Sequence, residues 1–94
     1  MPKFLAVHPF PKPMTAEEGA KTFPAVGKMA RANSTRDTYW VRSWVQGNEE
    51  GKFTKLLCEW NAASAEDVRN ALKNIPVPIE GIYPMAIVDS EDYR

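Results

Sequence analysis

The stretch from Tyr39 to Ile75 constrains this chain most: two aromatic-rich runs flank a polar turn, and a capped amphipathic segment follows at once. Tyr39–Gln46 and Phe53–Trp60 are rich in β-branched and aromatic residues, which suit a pleated, half-buried surface, so both are expected as strands. Gly47-Asn48-Glu49-Glu50-Gly51 supplies the turn formers between them. Side chains alternate faces along a strand. Trp40, Arg42, Trp44 and Gln46 are therefore expected on one face, and Tyr39, Val41, Ser43 and Val45 on the other. The expected register sets Trp44 near Lys55, Arg42 near Leu57 and Trp40 near Glu59. It leaves Leu56, Cys58 and Trp60 beside Val41 and Val45 as a dry layer. The opposite register would put Lys55 and Glu59 into that layer, and buried charges are costly.

Ser64 precedes Ala65-Glu66-Asp67, so its hydroxyl can accept from the Asp67 backbone N–H and start a helix. Ala65, Val68, Leu72 and Ile75 form one apolar stripe, and Pro76 and Pro78 forbid continuation, so the helix is expected over 65–75. Upstream, Lys3–His8 reads as a first strand ended by Pro9, Pro11 and Pro13. Thr15-Ala16-Glu17-Glu18 is a capping box for a helix from Ala16 to about Ala32, and Pro24 is expected to cause a kink near Ala20 to Phe23 or a second start there. Ile82–Asp89 is the expected last strand, and Pro84 within it argues for a sheet edge. A short polar tail, Ser90–Arg94, follows.

The order is strand, helix, strand, strand, helix, strand. With right-handed crossovers this gives an α+β, ferredoxin-like βαββαβ domain over residues 1–94: a four-stranded antiparallel sheet with two helices on one face. The other face is then bare, and an apolar sheet face of that size is not usually left in water. Two copies packed sheet to sheet would cover it, so a homodimer of the dimeric α+β-barrel kind is expected.

Twelve basic and twelve acidic residues cancel, which argues against nucleic acid or an anionic membrane as partner. No run of eighteen apolar residues exists, so no membrane-spanning segment is expected. The single cysteine forms no internal disulfide, and a reduced, cytoplasmic setting is expected.

The βαββαβ order, the chain length and the runs YWVRSWV and LLCEWNAASAEDVRNAL resemble the small dimeric α+β-barrel proteins. The chain is most similar to an uncharacterised ferredoxin-like family with a nickel-binding branch, and more distantly to muconolactone isomerase. The nickel branch carries Trp-Val-x-Ser-aromatic-Val on the second strand, here Trp40–Val45. That branch typically has histidine at x, where this chain has Arg42, and a second histidine in the second helix, where this chain has Ala71. Cys58 matches a cysteine of the branch's third strand. The isomerase resemblance rests on a Trp-rich second strand and on Leu72 to Pro76.

One His and one Cys without CxxC or HxxxH spacing do not make a tetrahedral set, so no metal site and no cofactor are expected. His8, the one side chain whose unperturbed titration lies near neutrality, is a candidate general base; the plainer reading is a strand end leading into Pro9. Cys58 reads first as a small buried hydrophobe. The constellation that stands out is Arg42, Lys55 and Glu59 with Trp40 and Trp44. A cation between rings can hold a planar anion, and Glu59 can take a proton from a bound carbon acid. The plainer reading is an interface in which Arg42 and Glu59 pair across the dimer and the rings fill it. Two functions follow. One is a small-ligand-binding or interaction module whose sheet-to-sheet cavity takes an aromatic or anionic molecule. The other is a small cofactor-free enzyme, of isomerase or monooxygenase type, in which Glu59 or His8 moves a proton of an aromatic or lactone substrate.

Overall fold

In the computed structural model, which describes residues 1–94, strand β1 (Lys3–Met14) leads into α1 (Ala16–Ala32), the hairpin β2 (Tyr39–Gly47) and β3 (Phe53–Asn61), α2 (Ala65–Leu72) and β4 (Gly81–Met85). A single 3-10 turn, Ser90–Tyr93, closes the chain. The strands form one antiparallel sheet in the order β2-β3-β1-β4. With both helices this is the expected α+β, ferredoxin-like arrangement.

Both helix starts are capped as the sequence implies. Thr15 Oγ1 accepts from Glu18 N at 3.1 Å while Glu18 Oε1 accepts from Thr15 N at 3.0 Å. Ser64 Oγ accepts from Asp67 N at 3.2 Å. Helix α1 runs as one element across Pro24, without a second start. Helix α2 stops at Leu72, short of the expected Ile75, because the last backbone bonds tighten: Lys73 N donates to Asn70 O and Ile75 N to Leu72 O. Ile75 is buried all the same.

The strands differ from expectation at their ends. β1 continues to Met14 through three prolines that it accommodates where pairing to β3 is irregular, between Pro9 and Met14. β4 ends at Met85 rather than Asp89; Met85 stands opposite Lys3, where β1 begins. As Pro84 implied, β4 is an edge strand.

The hairpin register corrects the expected one. Trp44 faces Leu57, Arg42 faces Glu59 and Gln46 faces Lys55. The turn is wider than a tight hairpin: Asn48 Oδ1 accepts from Glu50 N and Lys52 N, Gly51 takes a left-handed φ of 76°, and the pairing shifts between Gln46 and Gly47. A second shift lies between Trp40 and Arg42, where Val41 is the extra residue. A bulge of this kind inverts the alternation beyond it. Trp40 consequently stands opposite Trp60, on the helix side, while Arg42 and Trp44 stay on the open side. The expectation that Trp40, Arg42 and Trp44 share a face is thereby overturned for Trp40, and Tyr39 moves to the open face opposite Asn61.

The core lies between sheet and helices: Phe4, Ala6, Leu56, Cys58 and Trp60 from the sheet meet Ala30, Val68 and Leu72 from the helices. The molecule is thin, 39 × 35 × 20 Å, about one sheet and one helical layer deep. Its 14.0 Å radius of gyration exceeds the roughly 12 Å of a compact domain this long.

Candidate functional site

The open face of the sheet carries the charged residues. Glu59, 8% exposed, accepts from Lys3 Nζ through Oε2, and its Oε1 lies 3.2 Å from Arg42 Nε. Lys3 Nζ also donates to Asn61 Oδ1 at 2.7 Å, and Asn61 Nδ2 donates to the Tyr39 hydroxyl at 3.0 Å. Strand pairing explains the grouping: Arg42 is opposite Glu59, Glu59 is opposite Leu5, and Lys3 is opposite Asn61. A carboxylate this buried is stabilised only by such partners.

Beside this cluster the face is apolar. Trp44 is 50% exposed, and Tyr83 and Met85 are each 45% exposed. A depression of about 370 Å³ is lined by Lys3, Leu5, Arg42, Trp44, Glu59 and Met85 from the sheet and by Ala86, Ile87 and the acidic Asp89 from the segment after β4. The Arg42 side chain is 65% exposed and approaches Glu59 through Nε, and its terminal amino groups make no hydrogen bond to the protein. Lys55 is on the same face but apart from the cluster, where its Nζ pairs with Glu80 Oε1 at 2.8 Å.

His8 lies on the other side. It follows the parity of Phe4 and Ala6, faces Leu56 and is 1% exposed. Its Nδ1 lies 2.9 Å from the Pro78 carbonyl, so Nδ1 carries the proton and donates. Burial pushes its pKa down, opposed by the Pro78 bond, and the ring is held neutral. His8 and Glu59 therefore occupy opposite faces of the sheet and share no site. Trp40 is also helix-side, its Nε1 donating to Ser43 Oγ at 2.9 Å, and Ser43 Oγ in turn donating to Cys58 Sγ at 3.0 Å. Sequence reasoning did not reveal this Trp40–Ser43–Cys58 chain, because only the bulge at Val41 brings Trp40 to that side.

Residues 4–85 match the family described as Nickel responsive protein SCO4226-like. The chain belongs to that family. No curated protein and no solved structure matches it.

The name of the SCO4226-like family implies nickel, and the residues of this chain do not fit it. Nickel sites of protein origin need several imidazole, thiolate or carboxylate donors converging on one point. No three His, Cys, Asp or Glu side chains converge here. His8 spends Nδ1 on a backbone carbonyl. Burial raises the Cys58 pKa against the smaller lowering effect of Ser43, which keeps it a thiol. Arg42, at the position where the resemblance implies a histidine, points to the open face, away from Cys58.

Proposed function

We propose that this chain is a homodimeric small-ligand-binding module in which two open sheet faces meet and enclose a chamber for a planar organic anion. The observation that supports it is the pairing of a buried charge cluster with exposed aromatic surface: Arg42, held by Glu59, sits beside Trp44 on a face left without a covering layer. Apolar area of this kind, with a cation among rings, has the composition of interfaces rather than of free surface. Only 14 of 94 residues are buried, a small core for one copy standing alone.

Arg42 presents its terminal amino groups as a fork for a carboxylate, and Trp44 offers a ring for stacking. Lys3 adds positive charge and is fixed by Glu59 and Asn61. The test is Trp fluorescence titrated with benzoate. Saturable quenching is expected in the natural protein and in a Trp60→Phe control, and its loss is expected in Arg42→Ala. Quenching unchanged in Arg42→Ala would remove the anion reading.

A second reading keeps the same chamber and makes the protein a cofactor-free isomerase or monooxygenase. It rests on Glu59 lining the depression, where a carboxylate can take a proton from a bound carbon acid. Turnover of an aromatic or lactone substrate that is lost in Glu59→Gln, with binding retained, separates it from the first.

A further inference from the structure

Helix α1 spans 17 residues yet buries only Gly19 and Ala30, whereas the 8-residue α2 buries Val68 and Leu72. Over the β2 side of the sheet α1 leaves a cavity of about 230 Å³ that opens on one side to solvent. Phe23, Val26 and Ala30 wall it from the helix, and Trp40, Val45 and Leu56 from the sheet. Among its lining side chains only Trp40, Ser43 and Cys58 carry polar atoms, and none is charged.

The hydrogen-bond chain decides what this space accepts. The Trp40 N–H is committed to Ser43, and the Ser43 hydroxyl proton to Cys58. What remains on Ser43 Oγ is acceptor capacity. An ion entering here would lose its hydration without gaining a charged partner, which is costly. A neutral molecule loses little, and one N–H donor would find Ser43. Size narrows the class further: an apolar cavity of roughly 150 Å³ holds benzene. This larger one matches a fused bicyclic ring.

We propose that the cavity between α1 and β2 is a second binding site, on the helix side of the sheet, for a neutral bicyclic aromatic molecule with one hydrogen-bond donor. It lies opposite Arg42 and Trp44 and is independent of whether two open faces meet.

The experiment is an NMR titration of the ¹⁵N-labelled protein with indole and, separately, with indole-3-carboxylate. Indole is expected to shift the Trp40 Nε1 and the Ser43 and Cys58 amide signals saturably. The carboxylate is expected to leave these signals in place. A Cβ added at Gly27 would stand 3.6 Å from the Trp40 ring, so Gly27→Leu directs its side chain into the cavity. That variant is expected to weaken indole binding by more than about tenfold, while Arg42→Ala leaves it unchanged. Indole shifts confined to Trp44, equal binding of the carboxylate at Trp40, or undiminished binding in folded Gly27→Leu would each overturn the proposal. Should Gly27→Leu fail to fold, the titration of the natural protein decides alone, saturable Trp40 and Ser43 shifts supporting the site and their absence overturning it.

Discussion

Arg42 and Glu59 are cross-strand partners on the uncovered side of the sheet, yet they are unequal: the Glu59 side chain is 10% exposed and that of Arg42 65%. Lys3, 20% exposed at its side chain, is the more enclosed of the two cations that Glu59 holds.

That inequality predicts an order of stabilities. Glu59→Gln leaves Lys3 without its carboxylate in a nearly dry place and is expected to cost about 1–3 kcal/mol. Arg42→Ala breaks a largely solvated contact and is expected to cost the isolated chain under about 1 kcal/mol. Urea unfolding measures both. Equal losses would mean that the exposed Arg42 contact matters as much as the enclosed Lys3 contact.

His8 predicts a pH dependence. Its folded pKa is depressed by burial, so below about pH 6.5 the unfolded chain takes up a proton that the folded chain resists. The neutral ring's contribution is complete above that value and is lost as pH falls below it. The urea midpoint is expected to drop between neutrality and mildly acid pH, and His8→Gln is expected to reduce that drop. An unchanged slope in the variant would place the sensitivity elsewhere.

Most of the architecture could be read from residue patterns, for physical reasons. Thr15 and Ser64 announce helix starts because a hydroxyl can satisfy an orphan N–H, and Pro84 announces an edge because it cannot donate to a neighbour. What could not be read is register. Val41 looks like any strand valine, and nothing in its type marks it as the extra residue that turns Trp40 under α1. Arg42 and Glu59 were legible as residues of one face, but Lys3 as the second cation on Glu59 and the direct Arg42–Glu59 pairing within one chain were not, because the turn at Asn48–Lys52 is held by side-chain bonds whose width no residue count reveals. The expected end of β4 differed as well: the apolar run through Val88 is strand-like, but pairing stops at Met85, opposite the first residue of β1, Lys3.

Cys58 predicts slow alkylation. Burial holds its pKa above the ordinary thiol value, so less thiolate is present at a given pH. The reaction with N-ethylmaleimide is expected to be slower in the native protein than in urea, and to keep accelerating beyond about pH 8.5, where the unfolded chain levels off. Equal rates in both states would contradict an enclosed thiol.

Nickel predicts a negative result despite the family's name. Calorimetric titration with nickel chloride near neutral pH is expected to show no saturable site that depends on His8 or Cys58. A stoichiometric site lost in His8→Ala or Cys58→Ala would contradict the donor analysis.

The proposed chamber exists only if the face bearing Arg42, Trp44 and Met85 meets a second copy. Light scattering on the purified chain at micromolar concentration measures this most directly. The predicted mass is twice the 10.6 kDa of one chain, falling towards a single chain in Trp44→Asp. A natural protein that stays at 10.6 kDa across that concentration range would contradict it.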